Sequence, residues 1–170
     1  MKHALMPVAG MLLLQGCGFE PLYANNNNLG ISSTLSTIYV EPISDRVGYE
    51  LRNDLLDRLD GTVSAQGARY RLKLYLTELE EPVVFQPNTS ITRYNYTLTA
   101  HYDLVAREGA EPAKSGDVTA FAAYNVAASP YLYSTVAAQR DAKNRAANDI
   151  AERIRIELAV YLRQVAEQTR

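Results

Sequence analysis

The sequence RYRLKLYLT, residues 69–77, decides the fold of this chain. Its apolar residues recur at every second position, and its polar residues occupy the positions between them: Tyr70, Leu72, Leu74 and Leu76 against Arg69, Arg71, Lys73 and Thr77. Successive side chains of a strand point to opposite faces of a sheet, so this alternation predicts a strand with one buried and one solvated face.

Three further segments have strand patterns. Residues 93–104 repeat the same alternation, residues 37–41 are rich in β-branched and aromatic residues, and residues 115–125 alternate less strictly. The connection over residues 78–92 is predicted to be a long loop. Its tip carries the apolar residues Val83, Val84 and Phe85, which either fold back on the domain or contact a partner.

Two segments show the spacing of amphipathic helices. Val47, Leu51, Leu55 and Leu59 repeat every four residues after a capping position at Ser44 or Asp45, and Gly61 is the predicted stop. From Ala147 onward a second apolar stripe follows, with a predicted start at Ser129. Residues 37–170 therefore form one predicted α+β domain. Two helices pack on one face of a four-stranded mixed sheet, in the order strand-helix-strand-strand-strand-helix.

The N-terminus has the layout of an export signal. Lys2 precedes an apolar run that is too short to cross a bilayer, and the run ends at Cys17, the only cysteine in the chain. The sequence LQGC, residues 14–17, resembles the lipobox of bacterial lipoproteins. Residues 1–16 are thus a predicted signal peptide, and residues 17–36 a lipidated N-terminus and tether. Without a second cysteine, the exported domain relies on core packing.

Composition and motifs argue against several functions. A formal net charge of −2 does not fit a nucleic-acid-binding protein. His101 and Asp103 share a predicted strand face, but no G-x-S-x-G motif accompanies them, so we do not expect an enzyme. A single histidine after the signal peptide and dispersed carboxylates give no metal site, and no cofactor is expected.

One candidate binding surface remains on the solvated face of the sheet. Arg69, Arg71, Lys73 and Arg93 are placed there by the alternation, and their side chains suit phosphate groups. The alternative is a solvated face with no partner.

Three stretches of the chain resemble the LptE family of lipopolysaccharide-assembly lipoproteins, in its alphaproteobacterial form. They are GCGFEPLY at residues 16–23, RVGYELRNDLLDRL at 46–59 and RDAKNRAANDIAERIRIELAVYL at 140–162. The resemblance implies a non-enzymatic protein on the periplasmic side of the outer membrane, anchored by lipid chains such as palmitate on Cys17. It further implies that the protein plugs and stabilises an LptD-like β-barrel and assists the delivery of lipopolysaccharide to the cell surface.

Two alternatives stay open at this point. The chain is a lipoprotein subunit of another envelope lipid transporter or of a secretin, or it is an anchored hydrolase that uses His101. Under the leading hypothesis, Arg69, Arg71, Lys73 and Arg93 are candidate lipopolysaccharide contacts, and Val83, Val84 and Phe85 are candidate contacts with a partner.

Overall fold

The computed structural model describes residues 33–61, 63–85, 91–106, 111–126 and 132–168. In chain order its elements are β1 (Ile38–Val40), α1 (Asp45–Leu59), β2 (Tyr70–Phe85), β3 (Ile91–Val105), β4 (Lys114–Asn125) and α2 (Leu132–Gln168). The strands form one sheet in the order β1-β2-β3-β4, with β1 parallel to β2 and the other pairs antiparallel. This confirms the predicted α+β fold and its element order. The predicted signal peptide, Cys17 and most of the predicted tether lie outside the described residues.

The alternation of β2 and β3 determines which side of the sheet is the core. Leu72 pairs with Leu104 and Leu76 pairs with Ala100, so the apolar positions of both strands lie on one face. The side chains of this face are buried from Tyr70 to Leu74 in β2 and from Tyr96 to Leu104 in β3. The predicted strand faces are therefore confirmed.

Both helices cover this apolar face. The buried residues of α1 are Val47, Gly48, Leu51, Leu55 and Leu59, and the second half of α2 buries Ile150, Ala151, Ile154, Leu158 and Leu162. Arg46 Nη2 donates to Asn144 Oδ1 at 3.0 Å, and Arg58 Nε donates to Glu152 Oε2 at 3.2 Å. Because the two hydrogen bonds follow one another in the same direction along both helices, α1 and α2 lie side by side in parallel.

The ends of α1 differ slightly from the prediction. Ser44 is the N-cap residue, but its side chain makes no capping hydrogen bond. At the other end, Asp60 adopts a left-handed conformation with φ of 51°, and the N–H of Gly61 donates to Leu56 O at 3.0 Å. The helix stops where the sequence indicated, although Asp60 takes the left-handed position that glycine usually occupies.

The prediction of a loop over residues 78–92 is wrong. β2 continues to Phe85 and β3 begins at Ile91, so Val83, Val84 and Phe85 belong to the end of a strand that contains a bulge after Pro82. Pro82 and the three glutamates Glu78, Glu80 and Glu81 hid this continuation from sequence reasoning. Glu78 and Glu80 keep the alternation of the core side, but they are polar because they bind side chains of α2 instead of packing in the apolar core.

The long C-terminal helix is confirmed, and it begins earlier than the apolar stripe. α2 contains 37 residues and is about 55 Å long. Its predicted start at Ser129 lies outside the described residues. β2 is about 50 Å long, so the helix spans the whole length of the sheet.

Candidate binding face of the sheet

The sheet has a second face that neither helix covers. We call it the open face; its residues are the odd-numbered positions of β2 from Arg71 to Glu81, of β3 from Arg93 to Asp103, and of β4 from Ser115 to Asn125. It is polar except for several exposed apolar side chains: Tyr75 is 59% exposed, Leu79 51% and Phe121 76%. Leu79, Thr97 and Phe121 are neighbours in one row across three strands. A depression beside this row is lined by Glu81, Asn95, Thr97 and Phe121.

The four predicted basic residues fall into two groups. Arg69 precedes β2, and Arg71 and Lys73 follow at its start. Lys73 pairs with Asp103, whereas Arg93 lies ten residues away along β3, opposite Val84, which is a separation of roughly 33 Å. The structure thus brings together three of the four residues, and places Arg93 at the far end of the open face.

Arg71 already has neighbours within its own chain. Its Nη1 lies 4.0 Å from Glu41 Oε1, and its guanidinium carbon lies 5.8 Å from the ring centroid of Tyr39. These contacts orient the guanidinium at the start of β2. Among the described residues Lys73 has no ion-pair partner, so its ammonium group is the more accessible of the two.

His101 lies at the centre of an acidic group on the open face. Its Nδ1 is 2.9 Å from Asp117 Oδ1, its Nε2 is 3.6 Å from Asp103 Oδ1, and Ser115 Oγ donates to Asp103 at 2.5 Å. The hydrogen bond with Asp117 raises the pKa of His101. Ser115 is bonded to a carboxylate and not to the imidazole, so the group lacks the serine–histidine contact that a hydrolase of the predicted kind needs.

Replacing Asp117 with asparagine should lower the pKa of His101, because the neutral amide no longer stabilises the imidazolium by its charge. His101 is the only histidine in residues 17–170, so an NMR titration of its ring reads the change directly. A raised folded-state pKa means that these contacts stabilise the fold below the unfolded pKa of about 6.5, and that this small contribution is lost as pH rises through the folded pKa. Asp149→Asn, which removes an exposed carboxylate on α2, is the matched control. An unchanged His101 titration in Asp117→Asn would contradict the assignment.

A second polar cluster lies on the helix side of the sheet. Lys143 Nζ of α2 is 2.8 Å from Glu78 Oε2 and 3.0 Å from Glu80 Oε1. Glu80 also accepts hydrogen bonds from Tyr124 Oη at 2.9 Å and from Gln139 Nε2 at 3.0 Å. We call Glu78, Glu80, Tyr124, Gln139 and Lys143 the helix–hairpin cluster, because it joins the first part of α2 to the far half of β2 and to β4.

The pKa shifts in the helix–hairpin cluster show that its charges are stabilised. Burial alone would raise the pKa of Glu80, but hydrogen bonds from Lys143, Tyr124 and Gln139 outweigh it and lower the pKa. Burial would lower the pKa of Lys143, and its bonds to both glutamates raise it instead. Burial and the bond to Glu80 raise the pKa of Tyr124 to about 12. Sequence reasoning missed this cluster, although two glutamates continuing an apolar alternation were the available signal.

Two kinds of feature are absent from the described residues. No group of three histidine, cysteine, aspartate or glutamate side chains among them is arranged to hold a metal ion. No helix in the same part of the chain is long and apolar enough to cross a membrane.

Several solved structures share this architecture. A protein from Caulobacter crescentus CB15, described as a lipoprotein, is 26% identical, covers 79% of this chain and 96% of its own, and superposes with a TM-score of 0.64. A minor lipoprotein from Acinetobacter baumannii is 14% identical with a TM-score of 0.54, covering 72% and 88% of the two chains. Lipoprotein B from Nitrosomonas europaea is 11% identical with a TM-score of 0.52, covering 77% and 86%. A search of curated protein sequences gives no significant match.

Two helices on one face of a four-stranded sheet define a small α+β domain of a kind found in bacterial lipoproteins. The family model for LptE, described as lipopolysaccharide-assembly, matches residues 35–158. The chain belongs to the LptE family, as its sequence motifs predicted.

Proposed function

We propose that the protein is a non-enzymatic lipoprotein that plugs and stabilises an LptD-like outer-membrane β-barrel during lipopolysaccharide assembly. Membership of the LptE family supports this proposal. The observation that carries it is the open face. Neither helix covers this side of the sheet, and Tyr75, Leu79 and Phe121 are exposed there among polar side chains. The interior of an outer-membrane barrel is polar, so a mainly polar face with a few apolar contacts suits it.

The proposed location is the periplasmic side of the outer membrane. Cys17 is the proposed lipid attachment site, and a cysteine modified with several acyl chains holds a protein durably at a bilayer. Under this proposal the lipid supplies membrane attachment, and the folded domain supplies the contact with the barrel.

Co-purification with a detergent-solubilised outer-membrane barrel tests the proposed function. The tagged full chain should retain a barrel protein that delivers lipopolysaccharide, whereas the charge-introducing variant Phe121→Glu on the open face should retain less of it. Val160→Glu, which changes an exposed apolar residue of α2, is the matched control. Retention of a different envelope transporter or a secretin in place of the barrel would favour the alternative partner. An unchanged lipopolysaccharide-assembly phenotype in His101→Ala would exclude the anchored hydrolase.

The basic residues of the open face are the proposed lipopolysaccharide contacts. A charge-assisted hydrogen bond is worth roughly 1.5–3 kcal/mol, so combined neutral substitutions of Arg71, Lys73 and Arg93 should weaken lipopolysaccharide binding more than tenfold. High salt should weaken the wild-type interaction as well. Arg93 lies roughly 33 Å from Lys73 along the open face. Two separate variants, one of Arg93 alone and one of Arg71 together with Lys73, should therefore show which end of the open face binds lipopolysaccharide.

Two outcomes would assign the basic residues differently. Normal lipopolysaccharide binding with failed co-purification would show that these residues contact the barrel wall. Normal behaviour in both assays would leave them as solvated residues without a partner.

A further inference from the structure

β2 has a free edge beyond the end of β1. β1 pairs with β2 only from Tyr70 to Leu72, and Glu41 follows beside Lys73, with its N–H donating to Leu72 O at 3.0 Å. The chain then leaves the sheet for α1, whereas β2 continues to Phe85. No other strand in the described part of the chain pairs with this side of β2. An unpaired edge is a template for a further strand.

The backbone groups that point out of this edge follow from the register. Leu72 O faces β1, and the backbone groups of alternate residues in a strand point to the same side. Four further residues therefore direct their N–H and C=O groups to the free edge: Leu74, Leu76, Glu78 and Glu80. Pro82 ends this stretch, because it has no N–H to donate.

The free edge leaves apolar surface on both faces of the sheet. On the helix side Leu74 is buried, but Leu76, the next residue of that face, is only half-buried. On the open face Tyr75 is 59% exposed and Leu79 is 51% exposed. A strand that pairs with this edge would therefore be stabilised by apolar side chains on both of its own faces.

The chain contains such a strand in its predicted tether. The sequence FEPLY, residues 19–23, carries Phe19 and Tyr23 at alternate positions on one side and Leu22 on the other. Pro21 has no N–H, so it suits an edge strand only where its backbone points away from the neighbouring strand. The backbone groups of Glu20 and Leu22 then point inward and are available for pairing.

We infer that residues 19–23 pair antiparallel with residues 75–79 of the same chain, with Pro21 opposite Thr77. Three apolar pairs result from this register: Phe19 with Leu79, Leu22 with Leu76, and Tyr23 with Tyr75. Cross-strand pairs of aromatic and aliphatic side chains stabilise a sheet. The leucine pair covers the half-buried side chain on the helix side, and the other two cover exposed side chains of the open face.

The link between this segment and β1 is long enough for the pairing. Thr37, which precedes β1, lies at the start of β2, since its carbonyl accepts a hydrogen bond from the N–H of Arg69 at 3.0 Å. Tyr75 is five residues beyond Tyr70, which is about 17 Å along β2. Residues 24–32 can extend to roughly 30 Å. They can therefore pass outside β1 and still bring the segment to this position.

The same link determines the direction of the strand. Tyr23 is the end of the segment that is nearer to β1 in sequence, and an antiparallel strand places it opposite Tyr75, near the start of the free edge. A parallel strand would place it opposite Leu79, about 30 Å from Tyr70, which would use the full length of the link. The antiparallel arrangement is thus the one that the link allows without strain.

One contact of this register is unfavourable. Glu20 lies opposite Glu78, and like charges directly opposite each other weaken a strand pair. The carboxylate of Glu78 is held by Lys143 Nζ at 2.8 Å, which offsets part of the repulsion. Glu20→Gln should therefore strengthen the pairing.

The pairing also determines where Cys17 lies. Cys17 precedes Phe19 by two residues, so it lies level with Glu81, and only Gly18 separates it from the paired strand. With the lipid attachment proposed above, the far half of β2 is held next to the membrane. This consequence rests on the proposed function, whereas the pairing does not. The tests use protein without lipid, so their failure would leave the proposed attachment unaffected.

Disulfide trapping tests the register in residues 17–170 carrying Cys17→Ser. Pro21→Cys with Thr77→Cys forms a non-hydrogen-bonded pair, whose Cα atoms lie about 4.5 Å apart, within reach of a disulfide. Pro21→Cys with Thr99→Cys is the matched control. Thr99 pairs with Thr77 one strand further in, so it lies about 10 Å from residue 21. We expect a disulfide within one chain to form roughly tenfold faster, or more, in the first variant than in the control.

Amide hydrogen exchange tests the pairing without a cross-link. The N–H groups of Leu76 and Glu78 donate to the paired segment, and a segment that is docked about nine-tenths of the time slows their exchange roughly tenfold. Leu22→Asp should remove this protection, because it places a charge beside Leu76. Leu29→Asp, the same change outside the paired strand, should retain the protection, and Glu20→Gln should increase it.

Three results would overturn the inference. The first is equal disulfide formation in the two cysteine variants, or none within one chain. The second is a disulfide-linked dimer in place of the monomer, which would assign the free edge to a second copy. The third is amide exchange at Leu76 and Glu78 that Leu22→Asp leaves unchanged.

Discussion

Leu98→Ala should lower the free energy of unfolding by about 2–5 kcal/mol, the range for removing a buried leucine from a packed core. Leu98 is fully buried in the middle of β3, between the sheet and the helices. Thr97, the preceding residue, projects from the open face, and Thr97→Ala should change stability by less than about 0.5 kcal/mol. The loss in the free energy of unfolding is therefore expected to be several-fold larger for Leu98→Ala than for Thr97→Ala.

Chemical denaturation of residues 17–170 measures both effects. The midpoint should fall strongly for Leu98→Ala with little change in the slope, because the native surface is otherwise retained. Leu72→Ala, which removes a fully buried side chain from β2, should behave like Leu98→Ala. Equal losses for Thr97→Ala and Leu98→Ala would show that the register of β3 is wrong.

Cys17→Ala should release the protein from the membrane. Each buried methylene of a lipid chain contributes about 0.8 kcal/mol to membrane binding, so the loss of several chains removes nearly all of the proposed attachment. The folded domain should be unaffected, because Cys17 precedes every element of the sheet and its helices.

Membrane fractionation in cells that lack the barrel partner measures this release. Wild-type protein should sediment with the outer membrane, and Cys17→Ala should remain in the soluble fraction or as an unprocessed precursor. Complete sedimentation of Cys17→Ala under these conditions would show that another part of the chain supplies the attachment.

The sequence predicted the sheet well wherever one face is apolar. Residues 96–104 alternate strictly and residues 70–76 do so except at Tyr75, and a one-residue change of register would bury Arg71 and Lys73, so the alternation alone determined the faces. The apolar stripe of α1 and the second half of α2 were clear for the same reason.

The sequence did not predict the parts of the fold that polar contacts hold. The far half of β2 contains Glu78, Glu80 and Pro82, which favour loops in isolation, and only its pairing with β3 and α2 makes it a strand. Likewise, Arg93 lies on the same face of the sheet as the other basic residues. The alternation predicts this face, but it does not predict how far Arg93 lies from the other basic residues along the strands. The helix–hairpin cluster depends on residues up to 65 positions apart, which no local pattern reveals.

The two parts of α2 are held to the sheet by different kinds of contact. The buried apolar residues described in α2 begin at Ala142. In this part of the helix, Gln139 and Lys143 contact β2 through hydrogen bonds and ion pairs. Such contacts open at a lower free energy than a packed core. We therefore expect the far end of the hairpin and the first turns of α2 to open at a lower free energy than the apolar core.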